Sequence, residues 1–376
     1  MIIAAEASSA AYALKLIRHW KQQGRDYQFF GVGSEAMEKE GFERFGQSEQ
    51  MAVVGVAEIA AHFKELRKIF NKLVEVAKER RPRVVILMDY PDFNLRLAEK
   101  LKAFDLKVFY YISPQIWAWR KSRVETIRRY CEKIFLLFPF EVEFYKSKNI
   151  SYEFVGHPLL EDLDPQLVNP KWIQLQKEKY GVRSNEKILG LMPGSRRGEL
   201  DQHFDIQLEV ARRLLKKHEH LRLAILVAPT VSKEDMLRRL ENFKSPYILL
   251  HDDPNRMISL TDYVLVASGT ATLMVGLLQK PMVIMYRMKW LTGVIAKWLV
   301  RGVRFFGLVN LILGDEVVPE RMQAAANPDE LERLMDRYIT DTEYCQSVIR
   351  QLQQLPHYLG EVGATGRVAK ALDQYL

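Results

Sequence analysis

The sequence predicts an α/β protein built of two Rossmann-like domains facing a cleft. Three observations predict it. Short apolar runs alternate with helical patterns from the first residue onward. Those runs are continuously apolar, as parallel strands covered on both faces are. The alternation stops over the polar stretch from Glu161 to Glu186, which holds Pro165 and Pro170, and then restarts.

Taken in order, Met1–Ala5 reads as a short strand and Ala10–Gln22 as a helix. Tyr27–Val32 is a second strand, ending in Gly31-Val32-Gly33. Val54–Arg80 has amphipathic helical spacing, and Arg83–Met88 is an unbroken apolar strand. Phe93–Phe104 is helical; Lys107–Ile112, Ile134–Leu137 and Glu153–Val155 are strands. Beyond the linker come strand Ile188–Met192, helix Phe204–Lys217, strand Arg222–Val227 and helix Lys233–Asn242. Strands Tyr247–Leu250 and Tyr263–Ala267, helix Ala271–Leu278 and strand Met282–Met285 follow. The expected domains are 1–165 and 166–340. Helices over 341–376 would pack across domains or onto a partner subunit.

The chain has 376 residues, more than one ordinary domain needs. A hydrophobic content of 48% with 27% charged residues excludes a disordered chain. The formal net charge of +8 favours anionic partners: a nucleotide, a phospholipid surface or nucleic acid. No recognised nucleic-acid module is present. The two cysteines, Cys131 and Cys345, have no metal-type spacing, which excludes a disulfide scaffold and points to a reduced cytosolic setting. Glu6 interrupts the first apolar run, which lacks the flank of a signal peptide, and no uncharged apolar stretch is long enough to span a bilayer.

Two loops carry the functional signal. Pro193-Gly194-Ser195-Arg196-Arg197-Gly198-Glu199 follows one strand, and Ser268-Gly269-Thr270-Ala271-Thr272 follows another. A small-residue turn between strand and helix exposes backbone N–H groups at a positive helix end, a ready anion site. Arg196 and Arg197 add forked donors that suit phosphate oxygens. One such turn alone is often only a turn. The pair points to a diphosphate, as in a nucleotide, bound by Ser195, Arg196, Arg197, Ser268, Gly269, Thr270 and Thr272.

Asp89 and Asp92 flank Pro91 at the exit of an apolar strand. A carboxylate there can take a proton from an attacking hydroxyl, or Asp92 can cap the next helix. Glu6, on the first strand-to-helix turn, can bond a sugar hydroxyl or helix N–H groups, with Ser8 as the alternative cap. His157, in Gly156-His157-Pro158, falls at the domain junction. No HExxH, His/Cys cluster or GxSxG supports a metal or hydrolase reading. Trp117-Ala118-Trp119-Arg120 with Lys121 and Arg123, and the basic aromatic stretch Arg287–Phe306, fit either core helices with snorkelling cations or contact with anionic lipid.

With those residues in view, the chain resembles the lipid A disaccharide synthases, inverting glycosyltransferases of the two-Rossmann B type. The likeness runs through Glu6-Ala7-Ser8, Gly31-Val32-Gly33, Pro91-Asp92-Phe93-Asn94, Ser113-Pro114, Trp117-Ala118-Trp119-Arg120, Phe138-Pro139-Phe140-Glu141 and Val155-Gly156-His157-Pro158. It continues through Pro193-Gly194-Ser195-Arg196-Arg197, Ser268-Gly269-Thr270-Ala271-Thr272, Tyr286-Arg287 and Asn310-Leu311. The resemblance implies transfer of diacylglucosamine from its UDP derivative to the 6-hydroxyl of diacylglucosamine 1-phosphate. The products would be UDP and a β-1,6 disaccharide. It implies no metal or organic cofactor, a homodimer with exchanged C-terminal parts, and peripheral action at the inner face of the inner membrane. It makes Asp92 the general base, with Glu6 and Asp89 beside it. Ser8, Gly33 and Asn310 would face donor or acceptor sugar.

The sequence departs from the family pattern at Ala10, where an acid is usual, at Met274, where Glu is expected to hold the ribose, and at Asp315, where a base is usual. Other readings therefore stay open: a B-type transferase or nucleotide-sugar epimerase with another donor, or a non-catalytic protein of the membrane surface.

Overall fold

In a computed structural model, the described residues are 1–51, 59–113, 123–288 and 304–376; the side chains of 49–50 and 59–63 are not described. The chain forms two compact units, Met1–Glu161 with Leu359–Leu376, and Asp162–Tyr358.

The first unit carries a seven-stranded sheet among the described residues, in the order β3-β2-β1-β4-β5-β6-β7. Its strands are β1 Ile2–Ala4, β2 Phe30–Gly33, β3 Glu43–Gln47, β4 Val84–Met88, β5 Lys107–Tyr111, β6 Lys133–Leu136 and β7 Tyr152–Phe154. Every pairing is parallel. The central strands are buried along their whole length, which is why they read as unbroken apolar runs. At Gly31 (φ 138°) a Cβ would clash with the Ile2 carbonyl oxygen, so only glycine lets β2 approach β1 here. Ile3, Val32, Leu87, Val108 and Ile134 anchor the core.

The second unit has a six-stranded sheet among the described residues, β10-β9-β8-β11-β12-β13. It comprises β8 Lys187–Met192, β9 Leu221–Leu226, β10 Ile248–Leu250, β11 Tyr263–Ala267, β12 Met282–Tyr286 and β13 Glu320–Met322. Its pairings are also parallel. Parallel strands with helical crossovers in both units make the architecture α/β with Rossmann-like sheets.

The structure adds elements that the pattern does not show. β3 (Glu43-Arg44-Phe45-Gly46-Gln47) and β13 (Glu320-Arg321-Met322) are edge strands with little apolar sequence. The polar stretch taken as a linker contains a helix, Pro170–Glu178, which Asn169 caps by accepting from the N–H groups of Lys171 and Trp172. The sequence divides the chain at 165 and 340; the structure divides it after Glu161 and again after Tyr358. Helices Pro328–Thr340 and Thr342–Leu352 therefore belong to the second unit, and Ala364–Asp373 to the first.

That last helix packs on Ala7–Gln22. Trp20 Nε1–H donates to Asp373 at 2.8 Å, and Glu161 accepts from the Thr365 N–H (2.8 Å) and hydroxyl (2.6 Å). Among the described residues no helix is long and apolar enough to cross a membrane.

Candidate active site

Within each unit most candidate residues lie at or just beyond the carboxyl ends of the strands, where ligands of open α/β sheets bind; Asn310 lies instead within helix Leu308–Leu313. In the first unit, β1 ends before Glu6, the residue that precedes helix Ala7–Gln22. Of the two candidate caps, Glu6 and Ser8, Glu6 takes the N-cap position, and Ser9 closes the turn from the third helical position. Its buried hydroxyl accepts from the Glu6 N–H (3.1 Å) and donates to the Glu6 carbonyl (2.9 Å). Ser8 lies half-buried inside the first turn, and Ala10 is buried. Gly33 is buried at the end of β2, where a Cβ would meet the Met37 side chain at 2.7 Å.

β4 ends in two consecutive left-handed residues, Asp89 (φ 50°) and Tyr90 (φ 45°). Such backbone costs about 1–3 kcal/mol per residue and persists only where neighbours enforce it. Here they do. The Asp89 carbonyl accepts from Asn94 Nδ2 at 2.7 Å and from the Tyr110 hydroxyl at 2.6 Å, while Asn94 also donates to the Met88 carbonyl at 3.1 Å. Burial, reinforced by the charge of Glu6, pushes the Asp89 carboxyl up to about 6; a hydrogen bond from the Tyr90 backbone opposes them.

Asp92 stands differently. It is not the helix cap, since Tyr90 holds that position and Pro91 opens the helix. Its side chain is 64% exposed and ion-paired with Arg123. The Asp89–Asp92 pair is thus one half-buried carboxyl near a second acid and one exposed carboxylate facing a cation.

His157 is buried against Tyr12 and Phe138, and its Nδ1 accepts from the Leu159 N–H at 3.1 Å. Burial first, and the charge of Lys15 second, lower it to about 3, so it is neutral and holds the fold.

In the second unit, the Pro193–Arg197 turn joins β8 to helix Arg197–Lys217. The expected open backbone cradle is corrected here. The Ser195 and Arg196 N–H groups already donate to Glu199 Oε2, at 2.8 and 3.3 Å. The residues from Ser195 to Gly198 are nonetheless exposed, so the turn presents its arginines to solvent.

The second turn follows β11. The Ser268 N–H donates to the Met285 carbonyl at 2.9 Å, and the buried Thr272 hydroxyl to the Gly269 carbonyl at 2.8 Å. Gly269 and Thr270 stand exposed at the start of helix Ala271–Leu277, and Met274 is 5% exposed within that helix. Asn310 is fully buried. Its Nδ2 donates to the Val318 carbonyl (2.7 Å) and Glu320 Oε1 (2.6 Å), and its Oδ1 accepts from the Val318 N–H at 3.0 Å. The amide therefore clasps the segment leading into β13. Asp315 is exposed, 3.8 Å from Arg304.

Sequence reasoning missed His203 and Gln207, one helical turn apart on the buried face behind the first loop. His203 Nδ1 bonds the Pro193 carbonyl (3.0 Å), and Nε2 meets the Arg287 backbone at its N–H (2.9 Å) and its carbonyl (3.1 Å). Gln207 Nε2 donates to the carbonyls of Met192 (3.3 Å) and Leu265 (3.2 Å). Together they bind β8, β11 and the end of β12 into one platform. The signal was present: two polar residues at i and i+4 within an otherwise apolar stripe of Leu200, Phe204, Leu208 and Ala211.

A family model described as lipid-A-disaccharide synthetase matches residues 1–361. The chain belongs to the lipid-A-disaccharide synthetase family. A lipid-A-disaccharide synthase of Myxococcus xanthus (strain DK1622) is 34% identical over 376 residues, covering 100% of this chain and 97% of that protein. Among solved structures, the UDP-GlcNAc 2-epimerase from Neisseria meningitidis bound to UDP-GlcNAc has a TM-score of 0.66 at 11% identity, covering 99% of each chain. The glycotransferase of kitacinnamycin has a TM-score of 0.62 at 13% identity, covering 100% of this chain and 98% of that one. These two show the fold: the B-type glycosyltransferase architecture of two Rossmann-like domains. The Trp117–Lys121 segment and most of Arg287–Phe306, the stretches read as lipid-facing, lie outside the described residues.

Proposed function

We propose that this chain transfers diacylglucosamine from its UDP derivative to the 6-hydroxyl of diacylglucosamine 1-phosphate. The chain is a glycosyltransferase. The observation that carries the mechanism is the Asp89 carboxyl, half-buried at the end of β4 and raised to about 6 by desolvation and the charge of Glu6. Such a group is ionised at neutral pH yet basic enough to accept a proton. Asp89 takes the proton of the acceptor hydroxyl as its oxygen attacks the anomeric carbon. The bond from that carbon to the diphosphate breaks on the opposite face, which inverts the centre and frees UDP. Arg196 and Arg197 meet the charge that develops on the leaving diphosphate. Ser195, Ser268, Gly269, Thr270 and Thr272 shape the turns that receive the nucleotide.

This assigns the base to Asp89 instead of Asp92, whose exposed carboxylate is engaged by Arg123. Glu6 orients the acceptor and sustains the raised Asp89. Ser8 lies in the same turn as Glu6 and is the sugar contact in that unit, whereas Gly33 and Asn310 serve the site through packing and backbone support. The basic aromatic segments at Trp117–Lys121 and Arg287–Phe306 hold the protein peripherally on anionic lipid at the inner face of the inner membrane. Exchange of the C-terminal helix between two copies would give the expected homodimer.

The test is UDP release from the two acylated sugars by D89N and D92N. Asp89→Asn is expected to lose about 10²–10⁴-fold in kcat. Asp92→Asn is expected to stay within about threefold, because an exposed ion pair contributes little. The reverse ranking would return the base role to Asp92.

A further inference from the structure

The geometry points to Glu199 as a positioning residue that occupies the Ser195 and Arg196 N–H groups of the first loop, so that this loop meets the diphosphate through its arginine side chains and not through those two N–H groups. The inference rests on the nucleotide-binding reading of this loop. Four contacts fix the turn from beneath. Glu199 Oε2 accepts from the N–H groups of Ser195 (2.8 Å) and Arg196 (3.3 Å). His203 holds the Pro193 carbonyl at 3.0 Å, and the Thr230 hydroxyl donates to the Ser195 carbonyl at 2.6 Å. Gly194 (φ 126°) wraps over the same carboxylate; a Cβ there would lie 2.5 Å from Glu199 Oε2 and 2.6 Å from its Cβ. The glycine is required because the Glu199 side chain fills that space.

A strand-to-helix turn ordinarily offers its N–H groups to a phosphate. Here an internal carboxylate occupies that position as a fixed anion. A phosphate cannot enter without displacing it, and a second negative charge so close would be repelled. What the turn can still offer is the side chains above it. Arg196 precedes the helix and Arg197 begins it, both exposed. Glu199 therefore orders the backbone from which both guanidinium groups project. A planar, forked donor on an ordered base suits the diphosphate of a leaving nucleotide.

The test measures UDP and uridine binding calorimetrically for the native chain, E199Q and E199A. In E199Q the side-chain amide oxygen can accept from the same two N–H groups, so Glu199→Gln is expected to hold UDP within about threefold of native. Glu199→Ala, with the turn released, is expected to weaken UDP by about tenfold or more while leaving uridine unchanged. A selective loss of the diphosphate contribution, rescued by glutamine, is a signature that general unfolding would not produce. Native-like or tighter UDP binding by E199A would overturn the assignment, as would an E199Q as weak as E199A. Failure of the native chain to bind UDP would instead overturn the nucleotide reading on which it rests.

Discussion

Two aspartates three positions apart receive opposite environments from the same strand end. Asp89 continues β4 into a left-handed kink and is half-buried; Asp92 sits one helical turn on and reaches solvent. Burial and the Glu6 charge raise Asp89, so its folded pKa of about 6 lies above the ordinary 3.8. The folded state then holds this proton more tightly than the unfolded chain. Stability is highest below pH 4 for this group and falls as pH rises toward 6. Asp89→Asn removes that penalty. It is expected to gain about 3 kcal/mol at pH 7 in denaturant melts while losing turnover, the trade of stability for function that strained sites show. A D89N variant no more stable at pH 7 than at pH 4, relative to native, would count against the half-buried carboxyl. The pair Asp89-Tyr90-Pro91-Asp92 was visible in the sequence, but not which acid is the more sheltered. That depends on Tyr110 and Asn94, which bond the Asp89 carbonyl from a neighbouring strand and the next helix.

At the scale of elements, the two turns proposed to receive the nucleotide depend on the helix behind them. His203 and Gln207 hold carbonyls at the end of β8 and within β11, and the N–H that follows β12, so their loss loosens both turns together. His203→Ala leaves the Pro193 carbonyl and the Arg287 N–H unpaired and is expected to cost about 1–3 kcal/mol. Hydrogen exchange should show it as faster exchange at Ser195–Gly198 and Arg287. Gly194→Ala should act more locally, through its φ of 126° and its collision with Glu199, and lower UDP affinity before overall stability. The turns themselves were legible, since apolar strands run straight into Gly-Ser pairs; Tyr263–Ala267 matches its strand residue for residue. The occupant of the first turn was not. Glu199 stands in the sequence as an ordinary third helical residue, and only folding shows its carboxylate reaching back under the loop. Edge strands β3 and β13 were hidden for another reason: with one side of the ladder open, they need no continuous apolar run.

At the scale of the whole molecule, the alternation of strands and helices gave the two sheets, and periodicity could not show that the chain returns to its first unit. The evidence for that return is side-chain chemistry between distant segments: Trp20 with Asp373, Glu161 with Thr365, Tyr375 against Phe109. Deleting Leu359–Leu376 is expected to expose Trp20 and the face that Val368, Ala369 and Leu372 cover, unfolding the first unit before the second in a chemical melt. A single, unshifted transition would contradict it. His157, buried and lowered to about 3 from its ordinary 6.5, adds an acid limit. Its contribution is complete above pH 6.5 and falls by about 1 kcal/mol per pH unit as pH drops toward 3, a slope that His157→Asn should flatten. The central claim, however, is catalytic. The most direct measurement is UDP release by the purified chain in detergent micelles, given UDP-2,3-diacylglucosamine with and without 2,3-diacylglucosamine 1-phosphate. Release that requires the acceptor and yields the disaccharide is the predicted result. Release without the acceptor, or none from folded protein, would contradict the account.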